Sequence, residues 1–255
     1  MKLKMYSKEG NIDFLKKLSN KKVLTAEEQS ALTQIENQNT NSFDTKESLI
    51  NFYLTNTSNH LVTIPLVLNE IQSNKFKNIL SLGSGACVME YLLKQKSPNV
   101  EVYATDFNNF LVKKSKEYFN EIHSEIFNFH TDSVKKLAEK LKINFDLCLF
   151  YGSAYTMNDE LFIKVFNELK SVGVKKIIDF HSGYAPSYEL LKEYLKMKIG
   201  YNSFIRKLFK KDPYFGKFHG YSRNRSHLKK LYLKSGWKVE KEYFKNGFNY
   251  TSILI

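Results

Sequence analysis

NILSLGSGACVMEYLLKQKSPNVEVYATD, residues 78–106, decides the fold. An apolar run (78–83) ends in a glycine-punctuated turn, an amphipathic stretch (87–96) follows, and a second apolar run (100–106) ends in an acid. The same alternation continues through EIFNFHT (125–131), FDLCLFYG (145–152) and VKKIIDF (174–180), with helical spacing at 108–122, 133–142 and 158–173. Five strand–helix repeats of this length predict parallel strands joined by right-handed crossovers, an α/β Rossmann-like doubly wound sheet. The ending breaks the pattern. SHLKKLYLKSG (226–236) reads as a helix stopped by Gly236, and WKVEKEYF (237–244) and NYTSILI (249–255) read as two strands around the turn KNGF. The expected sheet is therefore seven-stranded and closed by an antiparallel hairpin.

Outward from this core, residues 1–58 read as a helical N-terminal extension or cap with a linker at 37–44, and 59–255 as the main domain. Residues 184–222, longer than one crossover needs, read as a helix plus an inserted lid. A chain of 255 residues with 42% hydrophobic and 25% charged residues forms one main core and is not a disordered or collagen-like chain. No apolar run is long enough to span a membrane, and the charged start MKLKMYSKEGNIDF does not read as a secretory signal. Cys87 and Cys148 form no metal-type pair, which with the rest gives a cytoplasmic expectation. The net charge of +13 invites a nucleic-acid reading, but only Arg206, Arg223 and Arg225 are arginines. The excess is lysine, accompanied by many Asn, Ile, Phe and Tyr, a composition expected of an AT-rich genome.

Chemistry-bearing residues fall at the strand ends, the edge where open α/β sheets bind ligands. Gly83 and Gly85, with Ser81 and Ser84 around them, let the backbone turn tightly and approach a ligand, or make an ordinary strand-to-helix turn. Asp106 can take both hydroxyls of a ribose or cap the next helix. Asp132 can accept from an adenine amino group while the Ser133 N–H meets a ring nitrogen, or Asp132 can be an N-cap. Tyr151-Gly152 brings a glycine to the end of the fourth strand.

On these motifs the sequence resembles the class I S-adenosylmethionine-dependent methyltransferases over roughly 60–183 and 223–255. Gly83 and Gly85 match that family's acid-x-Gly-x-Gly-x-Gly turn, while Ser81 stands at its acid and Cys87 at its third glycine. The resemblance implies S-adenosylmethionine as cofactor, Asp106 as the ribose acid, Phe107 near the adenine and Asp132 as the adenine acid. NAD-dependent dehydrogenases share only the first half of the pattern, since their third glycine falls at Val88. The GSGACVM turn also looks locally like that of nicotianamine-synthase-like enzymes.

The acceptor is narrowed by exclusion. The fourth strand ends in Phe150-Tyr151-Gly152-Ser153 and not in the Asn/Asp-Pro-Pro-Tyr type of loop used on exocyclic base nitrogens, and Cys148 lies inside an apolar strand. With Phe180 beside Asp179, no catalytic metal is expected. The remaining reading is metal-independent O- or N-methylation of a small molecule, with His181 as general base and His219 of the lid as the alternative. Arg206, Arg223 and Arg225, interleaved with aromatics such as Tyr221, suit an anionic acceptor such as a sugar nucleotide. The same residues would serve an RNA-directed methyltransferase, or a methyltransferase-like RNA-binding protein without turnover. No membrane partner is expected, and oligomeric state is unassigned.

Overall fold

The structure, a computed structural model, describes residues 1–6, 45–57, 61–202 and 218–255. Apolar strand residues with both faces covered build the main sheet from β2 (Asn78–Leu82), β3 (Glu101–Asp106), β4 (His123–Ile126), β5 (Leu147–Tyr151), β6 (Lys176–His181), β8 (Val239–Asn246) and β9 (Phe248–Leu254). Their order is β4-β3-β2-β5-β6-β9-β8. The first five are parallel, and β9 pairs antiparallel with both β6 and β8. This is the expected doubly wound sheet with its closing hairpin.

Successive side chains along a strand feed opposite cores. Ile79, Leu147, Leu149 and Ile178 pack on the face covered by α1 (Lys46–Thr57), α2 (Thr63–Asn74), α3 (Val88–Lys96) and α4 (Asn109–Tyr118). Leu80, Cys148, Phe150 and Ile177 pack on the face covered by α5 (Val134–Leu141), α6 (Asp159–Ser171) and α8 (Arg225–Lys234). Trp237 is buried after α8 and donates its indole N–H to the Phe166 carbonyl at 2.8 Å.

Three expectations are corrected. Lys2–Tyr6 is a strand, β1, paired antiparallel with β7 (Phe218–Arg223), so the N-terminal extension is not wholly helical. The alternation Lys2-Leu3-Lys4-Met5 carries that period-two signal. Of the segment expected to be a helix plus an inserted lid, the helix is α7 (Ser187–Asn202), but the last residues form β7 and belong to a small second sheet. The third core strand stops at Ile126, not near residue 131. There the chain turns on itself, because Asp132 Oδ2 accepts the Asn128 N–H at 2.8 Å while the Thr131 and Asp132 amides return to the Asn128 carbonyl. Such local bonds compete with the sheet ladder. The linker at 37–44 and most of the expected lid lie outside the described residues.

At the edge where the parallel strands begin, Lys176 is buried between Glu70 of α2 (2.8 Å) and Glu240 of β8 (2.7 Å), and Glu70 also takes Lys241 at 2.9 Å. Burial would raise the Glu70 pKa, but the two lysines outweigh it and hold it below the ordinary value. Removing one member leaves an uncompensated buried charge. Lys176→Met is therefore expected to cost about 3 kcal/mol in urea unfolding, with most of it regained in the double variant Lys176→Met/Glu70→Met. Equal stabilities for wild type and Lys176→Met would show that the network carries no such load.

Candidate cofactor and acceptor site

The site is built where β2, β3, β5 and β6 end. The Gly83 and Ser84 N–H groups both donate to the Thr105 carbonyl, each at 2.8 Å. The next amide, Gly85, donates to Asp106 Oδ2 at 2.8 Å, while Asp106 Oδ1 accepts the Asn108 N–H at 2.9 Å. Gly83 has φ 73°, and a Cβ there would lie 2.5 Å from the Ser153 Cβ and 3.2 Å from the Phe129 ring, so only glycine fits. Cys87 adopts φ 59° without being glycine, which preserves the geometry that the missing third glycine would have given. Burial, with the charge of Glu90, pushes its thiol up to about 12, so it is no nucleophile at neutral pH.

Asp106 is buried at the end of β3. Burial pushes its carboxyl up, against the pull of the Asn108 and Gly85 amides. The Phe107 amide acts on the carboxyl in the same sense, so the group is held by backbone amides from both sides. Phe107 is half-buried beside it. Phe129, which the motif reading passed over, lies against the glycine turn.

Ser81 is fully buried, and its hydroxyl donates to Glu90 Oε1 at 2.6 Å. Glu90, in the first turn of α3, is 1% exposed, and its Oε2 has no hydrogen-bond partner from another residue. Burial pushes its carboxyl up to about 7, with the Ser81 hydroxyl opposing and the Asp106 charge adding. The sequence reading missed Glu90 because an acid in a first helical turn is ordinary. The available signal was the pairing of a serine at the acid position with an acid nine residues on.

From β5, Tyr151 stacks on Phe180 with centroids 4.8 Å apart and planes 2° apart. Burial and the Glu90 charge push its phenol well above the ordinary value, against the pull of a bond to the Thr63 hydroxyl. Gly152, at φ 68°, leaves no room for a Cβ beside Ser182 and Phe248. The Ser153 hydroxyl donates to the Leu82 carbonyl and ties this loop to the end of β2.

Asp132 and Ser133 are not at a strand end. Asp132 is exposed and closes its own loop, and the Ser133 hydroxyl donates to Glu168 Oε2 at 3.0 Å. Both line a cleft of about 400 Å³ with Phe127, Lys136 and Lys140.

His181 ends β6 as expected. It is wholly buried, with Nδ1 3.2 Å from Asp179 Oδ2, and its Nε2 has no partner. The same Asp179 oxygen accepts the Tyr232 hydroxyl at 2.6 Å, which in turn accepts that of Ser252 at 3.0 Å. With Nδ1–H given to the carboxylate, Nε2 is left as the basic nitrogen.

Arg223 and Arg225 each meet an acid of the fold. Arg223 is fully buried; its guanidinium donates to Asp159 Oδ1 (3.0 Å) and the Met157 carbonyl (2.6 Å), while its Nη1 has no partner among the described residues. Arg225 makes a two-pronged pair with Glu242. Tyr221 is buried beneath the Lys2 ammonium and the Arg223 guanidinium, 5.0 and 5.1 Å from its ring centroid. Arg206 and the His219 side chain lie outside the described residues. Among the described residues no group of three or more His, Cys, Asp or Glu could hold a metal ion, and no helix is long and apolar enough to cross a membrane.

No protein-family model matches the chain, and no curated protein does. Solved structures do. Human N-acetylserotonin methyltransferase in complex with S-adenosylmethionine is 15% identical, with a TM-score of 0.56 over 94% of this chain and 61% of that one. The S-adenosylmethionine-dependent methyltransferase SibL is 13% identical, with a TM-score of 0.52 over 76% and 54% of the two chains. The N,N-8-amino-8-demethyl-D-riboflavin dimethyltransferase of Streptomyces davawensis is 11% identical, with a TM-score of 0.51 over 82% and 55% of the two chains. The chain thus spans little more than half to three fifths of the length of these proteins. Strand order, closing hairpin and structural likeness together give this chain the fold of the class I S-adenosylmethionine-dependent methyltransferases.

Proposed function

We propose that the protein is a methyltransferase that uses S-adenosylmethionine and acts on a small molecule. The observation that carries this reading is Asp106, a buried carboxylate at the end of β3 bonded to the amide of Gly85 in the Gly83-Ser84-Gly85 turn. The donor set fits the cofactor's chemistry: acids for ribose hydroxyls and positive charge, and aromatic rings for a purine. When bound, S-adenosylmethionine supplies an electrophilic methyl group on a sulfonium. Asp106 would hold the ribose hydroxyls, with Phe107 and Phe129 beside the turn. The left-handed backbone at Gly83, Gly85 and Cys87 lets the chain approach the ligand closely.

For a hydroxyl acceptor, His181 takes the proton at Nε2, with Asp179 fixing the tautomer and orientation of the ring. The shielding of this pair from water suits a reaction that depends on alignment. Structures of similar fold, such as human N-acetylserotonin methyltransferase, are named for small-molecule acceptors, which supports the same class here. Arg223 and Arg225 pair with Asp159 and Glu242, so a phosphorylated acceptor such as a sugar nucleotide, or an RNA acceptor, would share them with these acids. The acceptor proposed is a hydroxylated small molecule.

Two outcomes test it. Asp106→Asn is expected to weaken S-adenosylhomocysteine binding by about 10- to 100-fold in titration calorimetry, through loss of charge-assisted hydrogen bonds. Unchanged affinity rejects the ribose assignment. His181→Asn is expected to bind the same nucleoside within a few-fold of wild type, yet to lower kcat by about 100- to 10,000-fold on any hydroxylated acceptor that the wild type methylates. A near-normal kcat removes the base from this position.

A further inference from the structure

We infer that Glu90 is the anionic partner of the α-ammonium group on the cofactor's amino-acid end, standing in from helix α3 for the carboxylate that Ser81 lacks at the end of β2. The inference rests on the proposed use of S-adenosylmethionine and adds a binding residue to that site. Its geometry is specific. The Glu90 side chain reaches back to the strand end and accepts the Ser81 hydroxyl at 2.6 Å, so the carboxyl group occupies the space beside residue 81 although it starts nine residues later. The group is buried, and Oε2 is left without a partner from another residue. A buried carboxylate oxygen of this kind is costly unless something supplies its missing donor.

The groups acting on Glu90 are the Ser81 hydroxyl, its own backbone amide and the Asp106 carboxylate, and its charge acts in turn on the thiol of Cys87 and the phenol of Tyr151, beside which stands Tyr53 of α1. None of these is a cation. Of the groups on S-adenosylmethionine, the α-ammonium is the one that offers both hydrogen-bond donors and the compensating charge. In the ligand-free protein the carboxyl, pushed up to about 7, is largely protonated at pH 6. An arriving ammonium favours the anion, so binding expels a proton and strengthens by up to about tenfold per pH unit until the pH passes that value.

The test compares two nucleoside thioethers by titration calorimetry on the full chain at pH 6.5, in buffers of different ionisation enthalpy. S-Adenosylhomocysteine carries the amino-acid end, and 5′-methylthioadenosine lacks it. Wild type is expected to release more protons with the first than with the second. Glu90→Gln is expected to abolish that excess and to weaken S-adenosylhomocysteine by about 10- to 100-fold, leaving 5′-methylthioadenosine within about threefold. Equal weakening of both nucleosides, or no excess proton release in wild type, overturns the role of Glu90 while leaving the cofactor reading intact. Failure of wild type to bind either nucleoside overturns both. The proton release is read on wild type alone, so it decides the matter even where Glu90→Gln does not fold.

Discussion

Three successive amides, those of Gly83, Ser84 and Gly85, are all bound by the end of β3, two by the Thr105 carbonyl and one by the Asp106 carboxylate. This fastening sets the geometry of the site. It holds the turn after β2 in a left-handed path, and that path starts α3 at Val88 with Glu90 in its first turn. It also keeps Asp106 at the strand end, because the carboxylate is itself one of the acceptors. Right-handed crossovers bring the ends of β2, β3, β5 and β6 to one edge, but only this turn determines what the edge presents. The Ser153 hydroxyl on the Leu82 carbonyl carries the same registration across to β5.

Much of this was legible in the sequence, for physical reasons. Buried parallel strands must be continuous apolar runs, so β2, β5 and β6 announced themselves, and the hairpin of β8 and β9 was marked by Gly236 before it and Gly247 within it. The glycines at 83 and 85 and the acid at 106 were readable because backbone geometry and ribose chemistry each restrict the choice of residue. What escaped were features set by tertiary partners. The end of β4 is decided by the Asn128–Asp132 turn, whose polar bonds are invisible to apolar periodicity. The pairing of Arg223 and Arg225 with Asp159 and Glu242 was hidden because those acids stand 64 and 17 residues away in the chain. Glu90 was hidden for the same reason: helical position says nothing about which buried hydroxyl a side chain will meet.

The two edges of the sheet treat buried charge in opposite ways. Where the parallel strands begin, every acid of the cluster has a cation or an amide. Glu70 holds Lys176 and Lys241, and Asp146 takes the Lys77 and Asn78 amides and Lys175. These groups are satisfied within the fold, and nothing need be added to them. Toward the strand ends, among the described residues, Glu90 Oε2 and His181 Nε2 are shielded from water with no partner from another residue, as are Asp179 Oδ1 inside β6, Arg223 Nη1 in β7 and Thr251 Oγ1 in β9. Incomplete hydrogen bonding of buried groups lowers stability, so a fold that needed only to be stable would pair them or replace them with apolar side chains. Glu90 and His181 lie toward the edge that carries the glycine turn and Asp106, where a ligand can supply the missing donors and charge, and the free energy of satisfying them then appears as affinity and orientation rather than as stability of the empty protein.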